Sequence, residues 1–185
     1  VGSSFHAFGQ RFFLLDDRSF RDVSGARGAR HWGGEQTDWL LAELDRSDEP
    51  AWLLNGSQFF GAYLDKESFE GNYSEDFRDL LAKLRSVRAP VSFVSGDVHF
   101  SEIMRIEPQA IGYPTYEFTS SSMHSVNMPF MDILTNNPRR IESTWQHNFL
   151  TFDTRTQGQD WSIRCRSVRE GNRVAFTKDL QIRRS

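Results

Sequence analysis

The 185-residue chain contains little cysteine, no long apolar run and no excess of positive charge. Its single cysteine, Cys165, excludes a disulfide bond within the chain. No apolar run approaches the roughly 20 residues that a membrane-spanning helix needs, so no transmembrane segment is predicted. The formal net charge of -3 provides no broad basic surface for nucleic acid, and no nucleic-acid-binding module is predicted.

Internal repeats, low-complexity tracts and a convincing linker are also missing, so residues 1–185 are predicted to form a single domain. Hydrophobic residues make up 38% of the chain and aromatic residues 14%, a composition that argues against disorder. Cys165 alternates with arginines in "WSIRCRSV", which predicts a strand with the cysteine packed inside and the arginines facing water. Because the chain begins without Met or a signal-like segment, we expect a processed chain or a piece of a longer protein.

The first hundred residues alternate between buried strands and amphipathic helices. Apolar runs that end at Asp16, Asn55 and Asp97 predict three strands. Helical spacing occurs in "EQTDWLLAELDRS" and in "SEDFRDLLAKLRSV", where Ser74 is expected to cap the helix. Right-handed crossovers would make the three strands parallel. Short strands predominate after residue 100, with a turn or two of helix in "PFMDILTN", so the expected fold class is α/β.

Polar side chains follow each of these three strands. Ligands of open α/β sheets bind at the carboxyl ends of the parallel strands, so a polar rim is expected there. Oxygen ligands suit hard cations and imidazole suits iron or zinc, so the rim could hold a metal. Gly96 is predicted to turn the backbone so that two of these side chains face the rim. The rim is expected to contain Asp16, Asp17, Arg18, Asn55, Ser57, Gln58, Asp97 and His99.

Each of these side chains also has a structural interpretation. An aspartate at a strand end often caps a turn, and Asp16 with Arg18 is the pattern of a structural ion pair. For Asn55 and Gln58, a role in a turn and a contact with a ligand are about equally compatible with the sequence. From the residues alone, the choice between a metal site and ordinary turn chemistry stays open.

Six segments come in the order and spacing of the alkaline phosphatase D (PhoD-like) family, and together they cover nearly the whole chain. They are "LLDDRSFRD", "GGEQTDWLLAEL", "AWLLNGSQ", "SFEGNYSEDFRDLLAKL", "VSFVSGDVHFSEI" and "YEFTSSSMHS". Together with the other five segments, the Gly-Asp-Val-His motif is fairly specific for this family. The chain therefore resembles the PhoD-like metallophosphoesterases.

This resemblance implies a mixed β-sheet sandwich flanked by helices, of which the chain forms all or the C-terminal part. It implies metal-dependent hydrolysis of a phosphate ester, either a monoester or a diester, and a secreted or periplasmic location. Calcium with iron is the expected metal content, and zinc or manganese would also suit the ligands. The family's Asp-rich first half has no counterpart here. Either a missing N-terminal half of the same protein is the partner, which is the favoured expectation, or the chain is a stand-alone relative with an incomplete site.

The resemblance also assigns roles to individual residues. Asp97 and His99 take catalytic and metal-ligand positions, and Asp16 takes a further metal-ligand position. Glu102 lies just beyond, where it could support the ligands or simply pack within a strand. The positions that would contact substrate are Arg18, Asn55 and Gln58.

Two other functions remain possible from the sequence. A serine hydrolase could use Ser120, Ser121 or Ser122 with His124, although no Gly-x-Ser-x-Gly elbow is present. A non-catalytic binding module could use the aromatic residues of the second half. Of those, Trp145, Phe152 and Trp161 are expected to belong to the core instead.

Overall fold

The computed structural model describes residues 2–61, 68–120, 123–124, 126–127, 129–158 and 160–184. The strands are β1 (Ser3–Ala7), β2 (Gln10–Leu14), β3 (Ala51–Leu54), β4 (Val91–Ser95), β5 (Ser101–Ile106), β6 (Thr115–Thr119), β7 (Arg140–Thr144), β8 (Asn148–Gln157), β9 (Asp160–Arg169) and β10 (Arg173–Arg183). The helices are α1 (Gly34–Leu44), α2 (Phe69–Asn72), α3 (Ser74–Leu84), α4 (Pro108–Ile111) and α5 (Met131–Leu134). The element order confirms the predicted α/β class.

The larger of two sheets has seven strands in the order β1-β2-β3-β4-β6-β5-β7. Strands β2, β3, β4 and β6 are parallel neighbours, whereas β1, β5 and β7 each run antiparallel to the strands beside them. The predicted parallel arrangement of the first three apolar strands is therefore confirmed. The crossovers between them contain α1 and α3, as the helical spacing predicts.

The smaller sheet, antiparallel β8, β9 and β10, packs against one face of the larger sheet. Trp52 of β3 meets the ring of Trp161 at 4.6 Å and that of Phe152 at 5.2 Å. Phe118 of β6 contacts Phe152 at 5.0 Å on the same side. Trp161 is fully buried and Phe152 packs against the core, so both belong to the core as predicted.

Helices cover the opposite face of the larger sheet. Trp39 of α1 lies edge-on to Phe13 of β2 at 5.9 Å. Phe77 of α3 contacts Phe60 at 4.9 Å, and Phe60 in turn contacts Phe93 of β4 at 5.2 Å. The central strands of the large sheet are therefore buried on both faces, as their nearly continuous apolar sequences require.

The smaller sheet confirms the pattern read from its alternating arginines. Cys165 is fully buried, and burial raises the pKa of its thiol to about 12. On the exposed face, Arg164 pairs with Asp179 at 2.6 Å and Arg166 pairs with Asp153 at 2.9 Å. These arginines lie on the solvent-exposed face of β9, as predicted.

The start of α3 differs from the expectation. Ser74 is the first residue of the helix rather than its cap, and Tyr73 at the cap position makes no side-chain capping bond. A serine does cap the short helix before it, because Ser68 Oγ accepts a hydrogen bond of 2.9 Å from Gly71 N. No helix within the described residues is long and apolar enough to cross a membrane.

Candidate functional site

The carboxyl ends of β2, β3 and β4 lie side by side, as expected for neighbouring parallel strands. Backbone hydrogen bonds continue past the strand ends and fix the three loops to one another. Leu15 N donates to Leu54 O at 2.9 Å, and Asn55 N donates to Val94 O at 2.9 Å. Gly96 N donates to Gly56 O at 3.1 Å. The predicted polar rim is therefore formed by adjacent, mutually bonded loops.

The loop after β4 has an unusual backbone at its two chemically important residues. Asp97 has a φ of 75° and His99 a φ of 63°, both in the left-handed region that few non-glycine residues occupy. Such strained residues are concentrated at functional sites.

Gly96 plays a different part from the one predicted. The left-handed turns are made by its neighbours, and a Cβ at Gly96 would lie 3.3 Å from Gly56 O. The glycine therefore allows two loops to approach closely.

His99 is held in one tautomer by its neighbour. Its Nδ1 lies 2.8 Å from the carbonyl oxygen of Val126. A carbonyl can only accept, so Nδ1 must carry the proton and a neutral His99 presents an unprotonated Nε2. This is the arrangement that a metal-ligating or proton-accepting imidazole needs.

Arg18 spans the ends of β2 and β4. Its guanidinium lies 3.8 Å from Asp17 Oδ1 and 3.7 Å from Asp97 Oδ1, and 56% of its side chain is exposed. These long, half-exposed pairs place a cation at the rim where an anionic substrate could reach it. The structure thus brings Arg18 beside Asp97.

Asp16 and Asp17 are adjacent in the sequence but have different hydrogen-bond partners, and the metal-ligand role of Asp16 stays a prediction. Asp16 Oδ1 accepts from the backbone N–H groups of Ser19 at 2.9 Å and Arg18 at 3.0 Å, which lower the pKa of Asp16. It caps its own turn, which is the structural alternative to a metal ligand. Asp17 is the buried carboxylate, and its Oδ2 accepts from both N and Oγ of Ser57 at 2.7 Å.

Asn55 is buried at the end of β3, where it fixes the loops on either side. Its Oδ1 accepts from Trp32 Nε1 at 3.0 Å, and its Nδ2 donates to Ser57 O at 2.9 Å. Nδ2 also lies 3.4 Å from His31 Nε2. The predicted contact of Asn55 with substrate stays a prediction, because these bonds account for turn chemistry.

His31 is a residue that sequence reasoning missed. It is 2% exposed, contacts the rings of Phe69 at 4.5 Å and Tyr73 at 4.9 Å, and places Nε2 3.3 Å from Ser57 Oγ. Burial lowers its pKa to about 4, so it is neutral at ordinary pH. It lies in "ARHWGG", a glycine-containing loop sequence without a motif that would have singled it out.

Gln58 lies beneath the rim in a fully buried polar network. Its Nε2 donates to Glu102 Oε1 at 2.8 Å and to Thr119 Oγ1 at 2.9 Å. Glu102 also forms an ion pair with Arg140 at 2.6 Å. A direct contact between Gln58 and substrate would need its side chain to leave this network. Glu102 is a fully buried strand residue, which is the second of its two predicted roles.

Glu117 joins the loop after β3 to the last residue of β4. Its carboxylate accepts from the N–H groups of Phe59 and Phe60, both at 2.8 Å, and from Ser95 Oγ at 2.6 Å. Burial raises its pKa to about 7. The sequence "TYEFT" shows a glutamate within a strand of otherwise apolar character, which is a weak signal for a buried carboxyl group.

The donor set for a metal is incomplete in the part of the chain that the structure describes. No group of three or more His, Cys, Asp or Glu side chains there is arranged to hold a metal ion. Asp97 and His99 alone are too few ligands for the multinuclear centre that the family resemblance implies, since affinity depends on ligand number.

Only part of the proposed serine hydrolase site lies within the described residues, so that alternative stays untested. Ser120 Oγ accepts from Leu150 N at 3.2 Å, and so helps to join the two sheets. Ser121 and Ser122 lie outside the described residues.

Comparison with solved structures identifies a similar fold. A chain described as the structure of PhoD superposes with a TM-score of 0.72 at 18% sequence identity, over 98% of this chain. The fold is PhoD-like. The chain spans 42% of that PhoD chain. A Vps29 double mutant from Entamoeba histolytica matches with a TM-score of only 0.32 at 10% identity over 61% of its length, which is too weak to interpret. No protein-family model and no curated protein sequence matches the chain.

Proposed function

We propose that this chain takes part in metal-dependent hydrolysis of phosphate esters and supplies the Asp97–His99 side of the site. The observation that carries the proposal is the loop after β4, where two left-handed residues follow a parallel strand. His99 Nδ1 lies 2.8 Å from Val126 O, and this contact fixes the orientation of the imidazole ring at that rim. The PhoD-like fold supports the same assignment at the level of architecture.

Each group in the proposed site has a defined part. Asp97 would hold a cation and His99 would ligate a metal or meet the phosphate through Nε2. Arg18, between Asp17 and Asp97, would neutralise charge on the phosphoryl oxygens. Bound metal ions would supply further charge stabilisation, and calcium with iron, zinc or manganese are the candidates. Their remaining ligands would come from a further part of the protein, matching the 42% coverage of PhoD.

The first experiment is elemental analysis of the purified, dialysed chain, together with hydrolysis of p-nitrophenyl phosphate and bis(p-nitrophenyl) phosphate. Asp97→Asn and His99→Ala should each abolish turnover in the metal-loaded protein while the fold persists. The matched controls are Asp153→Asn and His6→Ala, which change the same residue types at exposed positions outside the rim. They should leave turnover unchanged.

The outcomes separate the alternatives. Stoichiometric metal with turnover would mean that the chain forms a usable site by itself. A metal-free, inactive chain that becomes active with the complementary part of the protein would show that it supplies half of the site. Full activity in both Asp97→Asn and His99→Ala would end the proposal, and binding without hydrolysis under any metal supplement would favour a non-catalytic module.

A further inference from the structure

A groove of about 520 Å³ lies beside the loop that carries His99. It is bordered by the segment that contains Val126, by the corner between β7 and β8 and by the turn between β9 and β10. Val126 lines the groove and also binds His99 through its carbonyl oxygen at 2.8 Å. The same short segment therefore contacts both the groove and the proposed catalytic histidine. The volume is within the range of small-molecule sites.

Two arginines of the groove are left without a carboxylate. Arg169 and Arg173 both line it, and neither forms an ion pair with any residue that the structure describes. Elsewhere in the same sheet, Arg164, Arg166 and Arg183 each pair with an aspartate on the adjacent strand. Arg169 is half-buried, where an unpaired cation is less well solvated. The two guanidinium groups are therefore suited to an oxyanion, which they can bind in bidentate fashion.

A second observation points to a missing ligand. Asn127 Oδ1 is buried and has no hydrogen-bond partner in the structure, although buried polar atoms are nearly always paired. Asn127 also lines the groove, so a rotation of its side chain would let the amide meet a ligand hydroxyl or donate to an oxyanion.

The remaining lining contributes two imidazole rings and a fluorescent reporter. His124 and His147 also line the groove. Glu170 contributes one opposing carboxylate, which the two arginines outweigh. Trp145, expected in the core, is instead half-buried at the groove, with its ring 5.5 Å from that of Phe130.

We propose that this groove is an oxyanion subsite that binds the second phosphate group of a ligand whose first phosphate lies at Asp97 and His99. The identity of the ligand as a phosphate compound rests on the proposed function. The location of the anion subsite is argued from three observations. Neither groove arginine forms an ion pair with a described residue, Asn127 Oδ1 has no hydrogen-bond partner, and Val126 contacts both the groove and His99. The ligands expected to bind best carry two phosphate groups.

The test is calorimetric titration of the 185-residue chain with inorganic pyrophosphate and with inorganic phosphate at constant ionic strength. The double variant Arg169→Gln, Arg173→Gln should weaken pyrophosphate binding by about tenfold or more, because charge-assisted hydrogen bonds are lost. The control, Arg164→Gln with Arg166→Gln, removes the same charge from the same sheet and should change affinity less than about twofold. Trp145→Phe should remove the fluorescence change that accompanies pyrophosphate binding.

Equal weakening in both double variants would reduce the effect to overall charge and overturn the proposal, as would no pyrophosphate binding by the wild-type chain. Loss of binding in His99→Ala but not in the groove variant would place the anion at the rim alone and would also overturn it. A third outcome would separate the two proposals. If pyrophosphate binding needs the two groove arginines but the chain hydrolyses no phosphate ester, the anion subsite is supported and the proposed hydrolytic function is contradicted.

Discussion

Glu117 is the buried carboxyl group whose titration should be most visible in the stability of the fold. Burial raises its pKa from 4.5 to about 7, so the folded chain holds one proton more than the unfolded chain between those pH values. Its contribution to stability is therefore fully present below pH 4.5 and is lost as the pH rises to about 7. Because Glu117 is fully buried, this shift corresponds to about 3 kcal/mol.

His31 titrates over an overlapping range with the opposite sign. Burial lowers its pKa from 6.5 to about 4, so the folded chain holds one proton fewer than the unfolded chain in that interval. Its contribution is present above pH 6.5 and is lost as the pH falls to about 4, again by about 3 kcal/mol. The pH-dependent contributions of Glu117 and His31 to the free energy of unfolding should therefore nearly cancel in the wild-type protein. Replacing either residue should reveal the contribution of the other.

Glu117→Gln keeps the shape of the side chain and removes the titration. We expect the free energy of unfolding of this variant to rise by about 2 kcal/mol between about pH 5 and about pH 8. In the wild type, the contributions of Glu117 and His31 offset each other over this interval, so its free energy of unfolding should change little. The amide can accept from only one side, so one N–H of Phe59 or Phe60 loses its acceptor. This loss costs about 1–3 kcal/mol relative to a carboxylate acceptor and does not itself depend on pH.

The assay is urea unfolding followed by tryptophan fluorescence at both pH values and one ionic strength. Glu75→Gln, at an exposed position in the first turn of α3, is the control and should follow the wild-type profile. His31→Phe should show the reverse change, a fall of about 2–3 kcal/mol over the same pH interval. Parallel profiles for Glu117→Gln and the wild type would show that Glu117 is ionised throughout, which contradicts its raised pKa.

Three further predictions concern the packing. Arg140→Met should destabilise the fold by about 3–5 kcal/mol in urea unfolding, because Glu102 would be buried without its cation. The same change at exposed Arg164 should cost about 0–1 kcal/mol, and equal losses would contradict the distinction. Cys165 should react with a thiol reagent only at the rate of unfolding, and rapid labelling of the native protein would contradict its burial. Gly56→Ala should lower stability by about 1–3 kcal/mol, since its Cβ would lie 2.8 Å from a buried aspartate oxygen; an unchanged urea midpoint would contradict that contact.

The order of helices and parallel strands could be predicted from the sequence because it depends on local periodicity. The spacing of apolar residues in α1 and α3 follows the 3.6-residue repeat, and the short apolar runs of β2, β3 and β4 are too short for helices. The Asp97–His99 loop could also be predicted from the sequence, because two ligand-type residues directly follow a strand. Strand β7 and the short helices α2 and α4 were not predicted, because these short segments show neither a strand-like apolar pattern nor a helical repeat.

The tertiary structure alone decided which polar residues of the rim are buried and which of them meet. Asp16 and Asp17 are adjacent in sequence, yet only the second reaches Ser57, 40 positions away. Glu117 binds Phe59 across 58 positions, and His31 approaches Ser57 across 26. Local sequence specifies where a strand ends and which side chains follow it. The partners of those side chains depend on how the strands are ordered in the sheet, which long-range packing determines.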